Sequence, residues 1–144
     1  MSYLTLNGHQ LSTKAASVCK FLRDKEIMYT HVLCCGHSGV TMASVIAARA
    51  KKSLIILRKD GESSHGSLIE HNCDESIQQS CVFVDDLIDT GATLKAVVKA
   101  LGNSILQVKL EAVIFYNQSM QDAAEHKKVL VNMIMGDIPV YWLG

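Results

Sequence analysis

One run, Cys81-Val82-Phe83-Val84-Asp85-Asp86-Leu87-Ile88-Asp89-Thr90-Gly91-Ala92-Thr93, constrains the fold more than any other stretch of this chain. Its apolar start reads as a strand buried on both faces, as strands of parallel sheets are. Two acids stand at the carboxyl end of that strand, the edge where open α/β sheets bind ligands. The Thr-Gly-Ala-Thr stretch then opens a helix, and its backbone N–H groups and hydroxyls form a cradle suited to a phosphate. Carboxylates for sugar hydroxyls and amides for a phosphate, on one loop, suit a phosphorylated pentose. For any single residue the plainer reading is a buried strand followed by a capped turn, with Asp86 or Thr90 as the cap.

The rest of the chain agrees with an α/β reading. Apolar Ala15, Val18, Cys19 and Leu22 mark a helix over residues 12–24, with Ser12 as a candidate N-cap. Strands are expected at 31–35, 53–57, 81–84 and 110–115, and helices at 40–50, 94–101 and, short, 122–128. The apolar runs 129–135 and 140–143 read as two more strands, and residues 60–80 are polar without a sustained period. Alternating strands and helices predict a mainly parallel, twisted sheet flanked by helices.

Composition narrows the function. A chain of 144 residues is expected to form a single domain spanning residues 1–144. Fourteen basic and 14 acidic side chains give a formal net charge of zero, not the basic excess of a nucleic-acid binder. No apolar run approaches the roughly 18 residues of a membrane span, and the first ten residues lack the pattern of a signal peptide. The cysteines Cys19, Cys34, Cys35, Cys73 and Cys81 are odd in number and fall mostly in apolar stretches, as reduced cytoplasmic thiols do. Neither His nor Cys shows the spacing of a zinc site.

The 81–93 run resembles the phosphoribosyl-pyrophosphate (PRPP) signature of the type I phosphoribosyltransferases: an apolar strand, two adjacent acids, three variable residues, then Thr-Gly-x-Thr. The resemblance, which covers about residues 32–115, implies a Rossmann-like core with a small hood and a flexible loop. It implies that Asp85 and Asp86 hold the ribose hydroxyls, directly or through Mg²⁺ as metal ligands, and that Asp89, Thr90, Gly91, Ala92 and Thr93 wrap the 5-phosphate. The Gly36-His37-Ser38-Gly39 turn follows the first core strand, where the family binds pyrophosphate. Taken alone, such a turn is a common strand–helix connection.

A long loop without structure is often an active-site lid, and the family carries a mobile loop where residues 60–80 lie here. Ser63, Ser64, His65 and Gly66 would belong to that loop, and closure would keep water from the reaction. The plainer readings are a surface insertion or an unrecognised hairpin. Arg58 and Lys59, just before the loop, would neutralise pyrophosphate and count as catalytic, and His65 would donate a hydrogen bond. The orotate branch has a lysine shortly before its His-Gly pair, where this chain has serines.

The chemistry implied is displacement of pyrophosphate from ribose C1 by a ring nitrogen of a base, chiefly by positioning and stabilisation of charge. Mg²⁺ would act as Lewis acid and template. Asp89 occupies the position where 6-oxopurine members place an acid to handle a purine proton, which tilts the expectation toward a purine; the competing role is bonding loop amides. Tyr116, Asn117 and Trp142 are the candidate base contacts, with Trp142 as a stacking ring or, equally, a core or interface anchor. The expected hood is small, which suggests a homodimer whose second subunit completes the site. The runner-up reading is a regulatory protein of the same fold that senses PRPP or a nucleotide without turnover. A phosphoryl-transfer or receiver domain is disfavoured, because the Walker lysine is missing and the acid pair comes late in the chain.

Overall fold

A computed structural model describes residues 7–58, 69–73, 77–103 and 107–144, except the side chains of His37, Ser38, Glu70 and Asn103. In chain order the elements are α1 (Gly8–Asp24), β1 (His31–Cys35), α2 (Gly36–Ala50), β2 (Ser53–Leu57), β3 (Ile69–Glu70), β4 (Gln79–Asp85), α3 (Ala92–Asn103), β5 (Val108–Phe115), α4 (Glu125–Met135) and β6 (Val140–Trp142). The strands form one sheet in the order β3-β2-β1-β4-β5-β6. All pairs are parallel except β2 with β3, so five parallel strands carry a short antiparallel edge.

Strand residues alternate between two buried faces. Val32, Cys34, Val82, Val84, Ala112 and Ile114 meet Ala15, Val18 and Leu22 of α1 and Met42, Ala43 and Ile46 of α2. On the other face Leu33, Phe83, Val113 and Phe115 meet Leu94 and Val97 of α3 and Val131 and Met135 of α4. Phe83 and Phe115 are fully enclosed, and burial of one such ring stabilises the fold by about 1.5–3 kcal/mol. Double-sided burial is why β1 and β4 read as unbroken apolar runs.

Strand order decides where a ligand can bind. β1 pairs with β2 on one side and β4 on the other, so successive crossovers leave β1 in opposite directions. Such a switch point opens a crevice beyond the carboxyl ends of β1 and β4. Those ends are Cys35 and Asp85.

Several boundaries differ from the sequence-based expectation. Helix α1 begins at Gly8 because Asn7, not Ser12, is its N-cap. The Asn7 side chain accepts the Gln10 N–H at 2.9 Å, while Gln10 Oε1 accepts the Asn7 N–H at 3.1 Å. Helix α2 starts at Gly36, so the expected Gly36–Gly39 turn is the first turn of a helix. The 129–135 run is helical, not a strand: it belongs to α4, which buries Val131 and Met135 one turn apart and leaves Val129 and Met133 in solvent. A short apolar run does not by itself separate a strand from a helix. The polar 60–80 segment contains β3 and the first residues of β4.

Candidate active site

The crevice is built from two chain segments, and the first is the junction of β1 with α2. Cys35 is still extended and Gly36 adopts φ 74°, so the chain turns into helix with no intervening loop. Cys35 is the N-cap residue of α2, and its side chain makes no capping bond to the helix amides. Amides of a first helical turn have no partner within the helix and lie at its positive end. Gly39 packs closely under this turn: a Cβ there would stand 3.3 Å from the Cβ of Cys34. The side chains of His37 and Ser38 lie outside the described part of the structure.

The second segment runs from Asp85 to Thr93. Asp85 Oδ1 accepts the Asp86 N–H at 2.9 Å, and Asp86 Oδ1 accepts the Leu87 N–H at 2.8 Å. These bonds fold both half-buried carboxylates back over the strand end. The segment after β5 lies alongside: Tyr116 N–H donates to the Asp85 carbonyl at 3.0 Å, and Asn117 N–H to the Asp86 carbonyl at 2.9 Å. Ile88 is buried, its N–H donating to Gln118 Oε1 at 3.1 Å and its carbonyl accepting from Lys127 Nζ at 3.3 Å. Lys127 Nζ also stands 4.0 Å from Asp89 Oδ1.

The loop then rises into α3. Asp89 and Thr90 are exposed, and Thr90 Oγ1 accepts the Ala92 N–H at 3.2 Å. Gly91 has φ 85°, and a Cβ on it would fall 2.8 Å from Leu130 Cδ2 of α4. The positive φ favours glycine, and a Cβ would require the half-buried Leu130 side chain to shift. The loop is thus fitted against α4 as well as against β5.

Burial and charge set the states of nearby groups. Burial, the Asp86 and Asp85 carboxylates and Cys34 all raise the Tyr116 phenol well above its ordinary value, so it stays protonated. Burial first, then Cys35 and Asp85, pushes the Cys34 thiol up to about 12. Cys34 is therefore a neutral packing residue beside the site, not a nucleophile.

The residues expected to act together divide into three sets. Asp85, Asp86 and the Asp89–Thr93 loop stand at the end of β4, beside the β1–α2 junction that carries Gly36 and Gly39. Arg58 follows Leu57, whose partner is Cys35, so its backbone is also at this edge. Lys59, Ser63, Ser64, His65 and Gly66 lie outside the described residues. The aromatic base contacts are not gathered: Tyr116 packs on the α1/α2 face, whereas Trp142 packs on the α3/α4 face with its ring 4.7 Å from Phe115. Among the described residues, no group of three or more His, Cys, Asp or Glu side chains could hold a metal ion.

Sequence reasoning missed Gln118 and Lys127, which lie outside the motif and carry no local signal. It also missed a cavity of about 330 Å³ between α1 and the β5 and β6 ends, lined among others by Gln10, Lys14, Tyr116 and Leu143. Lys14 Nζ donates to the Tyr116 carbonyl at 3.3 Å there.

A crevice at a parallel-sheet switch point is where open α/β proteins bind their ligands. The phosphoribosyl transferase domain profile matches residues 6–141, so the chain belongs to that family and is a phosphoribosyltransferase by class. A search of curated protein sequences gave no match. Solved structures share the fold at low identity. Adenine phosphoribosyltransferase from Saccharomyces cerevisiae superposes with TM-score 0.72 at 17% identity, over 96% of this chain and 80% of that one. Orotate phosphoribosyltransferase from Francisella tularensis gives 0.70 at 15%, over 95% and 67%. Adenine phosphoribosyltransferase from Trypanosoma brucei, in complex with AMP, pyrophosphate and ribose-5-phosphate, gives 0.67 at 14%, over 95% and 65%.

Proposed function

We propose that this chain, acting as a single domain, transfers the 5-phosphoribosyl group from PRPP to a ring nitrogen of a base, a purine by slight preference, and releases pyrophosphate. The observation that carries this reading is the juxtaposition at the switch point. The Asp85–Asp86 pair and the Asp89–Thr93 loop stand at the end of β4, next to the start of α2 at the end of β1. One anion-binding helix start suits each phosphate-bearing end of PRPP, and the acids between them suit the ribose hydroxyls.

This reading gives each group a role. Amides of Gly36–Gly39 and the charge of Arg58 and Lys59 hold the leaving pyrophosphate. Asp85 and Asp86 orient the ribose ring, and the Thr90–Thr93 loop fixes the 5-phosphate. Asp89 accepts the proton that the base loses as the new bond forms, help that is typically worth about 10²–10⁴-fold. Adjacent carboxylates without an all-protein cage fit Mg²⁺, which commonly binds through one or two carboxylates and substrate phosphates. When bound, Mg²⁺ supplies Lewis-acid stabilisation of the leaving group. Tyr116 and Asn117, bonded to the backbone of the acid pair, border the acceptor side, and Trp142 would reach a base only from the opposite face. Residues 63–66 would cover the site, and a second subunit would complete it.

The five cysteines form no disulfide with one another, and a cytoplasmic setting is part of the proposal. No helix among the described residues is long and apolar enough to cross a membrane. The test is pyrophosphate release from PRPP with Mg²⁺ against a panel of purine, pyrimidine and non-nucleobase acceptors. Turnover with one base establishes the reading and names the acceptor. PRPP binding without turnover on any acceptor replaces it with the sensor. Full activity from a monomer removes the second subunit from the site.

A further inference from the structure

We propose that Gln118 and Lys127, both outside the 81–93 motif, form a two-point clamp on Ile88 that positions the ribose-phosphate loop for its ligand. The proposal rests on the PRPP-binding reading and extends it to two residues that this reading does not use. Ile88 sits midway between the acid pair and the phosphate turn, with its side chain buried under α3 and α4. Its N–H donates to Gln118 Oε1 at 3.1 Å, and its carbonyl accepts from Lys127 Nζ at 3.3 Å. Those two bonds fix the peptide planes on either side of Ile88, and hence the offset between Asp86 and Asp89.

The clamp is anchored in separate elements. Gln118 lies in the β5–α4 connection, where its own carbonyl accepts the Gly144 N–H at 3.2 Å. Lys127 lies in the first turns of α4, the helix that also supplies Leu130 against Gly91. The Lys127 side chain is 26% exposed, low for a lysine, while its ion-pair partner Asp89 is 85% exposed. An exposed pair at 4.0 Å contributes little, so the hydrogen bond to the Ile88 carbonyl is the larger effect. The Lys127 charge nevertheless stands beside a loop that bears Asp85, Asp86 and Asp89 and must accept a phosphate.

A plainer role exists for both side chains. Buried backbone groups must be paired, and Gln118 and Lys127 could serve only that need. The two roles predict different measurements. A purely structural pair would alter melting temperature and leave ligand selectivity alone. A positioning clamp would alter the discrimination between phosphorylated and unphosphorylated sugar.

The experiment titrates the full chain with PRPP and Mg²⁺, with ribose 5-phosphate and with ribose, by calorimetry. Gln118→Met removes the acceptor and Lys127→Met the donor at nearly constant volume, whereas Gln118→Glu and Lys127→Arg keep them. Each Met variant is expected to weaken PRPP and ribose 5-phosphate binding about 10-fold, the order of leaving one buried backbone group without its partner, with KM for PRPP rising more than kcat falls. The conservative variants Gln118→Glu and Lys127→Arg are expected to hold affinity within about 3-fold of the wild type. Met variants that bind both phosphorylated ligands as the wild type does overturn the clamp and leave the family reading standing. So do Met variants that melt earlier with unchanged affinity. Should a Met variant fail to fold, Gln118→Glu and Lys127→Arg variants that bind no tighter than Gln118→Ala and Lys127→Gln overturn it equally. A wild-type chain that binds neither PRPP nor ribose 5-phosphate overturns the functional reading, and the clamp with it.

Discussion

The two helix starts at the crevice solve one problem in opposite ways. Helix α2 begins at Gly36, directly after β1, and its N-cap residue makes no side-chain capping hydrogen bond. Helix α3 begins only after the 86–91 segment, which carries acids, a threonine whose hydroxyl accepts the Ala92 N–H and a glycine fitted against α4. A bare helix start recognises negative charge and little else. A shaped loop adds carboxylates in fixed places and can recognise the hydroxyls and outline of a sugar. Affinity for an anion is therefore a property of either end, whereas selectivity for a phosphorylated pentose belongs to the end of β4.

Replacing both acids tests that contrast most severely. Asp85→Asn with Asp86→Asn is expected to weaken PRPP binding by about 100-fold or more, since hydrogen bonds to charged groups contribute about 1.5–3 kcal/mol each. Pyrophosphate alone should bind as before, through α2. Calorimetry with both ligands checks this, with circular dichroism as the control for folding. Equal losses for the two ligands would erase the division of labour.

Asp89→Asn comes next. It should lower kcat by about 100-fold and change the PRPP Kd by much less, as read from steady-state kinetics beside calorimetry. An unchanged kcat reduces Asp89 to a scaffold for the loop.

Gly91→Ala probes the shape of the loop rather than its charge. The positive φ and the 2.8 Å approach to Leu130 both oppose a Cβ. The substitution should cost about 1–2 kcal/mol of stability in urea unfolding, chiefly from the positive φ. Gly39→Ala under α2 meets, among the described residues, Cys34 at 3.3 Å and should cost about 1 kcal/mol or less.

A further effect is alkaline. The buried Cys34 and Cys81 thiols are held up to about 12, against 9.0 for a free thiol, by burial first of all. Between those values the unfolded chain loses protons that the folded chain keeps, so stability present below pH 9 declines as pH rises. At pH 10 the decline should be on the order of 1 kcal/mol per thiol in denaturant titrations. A flat profile from pH 8 to 10 would mean that water reaches these strands.

The sequence exposed most of the β4 end because its chemistry is continuous along the chain. Strand, acids, turn glycine and helix start follow one another within 81–93, and each local preference agrees with the fold. The buried face of α1 was legible for the same reason: Ala15, Val18, Cys19 and Leu22 recur at helical spacing and are all buried. The β1–α2 end was half legible. Gly36 and Gly39 marked it, but the immediate start of the helix depended on φ at Gly36. The 129–135 run was misread because its apolar side chains suit either period, and only packing against β5 and α3 selects the helix.

By itself, then, the chain determined an α/β fold, the buried strands and the acid-bearing phosphate loop, since these rest on neighbours in sequence. Tertiary structure alone decided the strand order that brings Cys35 beside Asp85, and the attachment of Gln118, Lys127 and Leu130 to the loop. It also set Tyr116 and Trp142 on opposite faces. Those outcomes depend on hydrogen bonds between strands and on side chains meeting across distant segments, and no local pattern encodes which partners will meet.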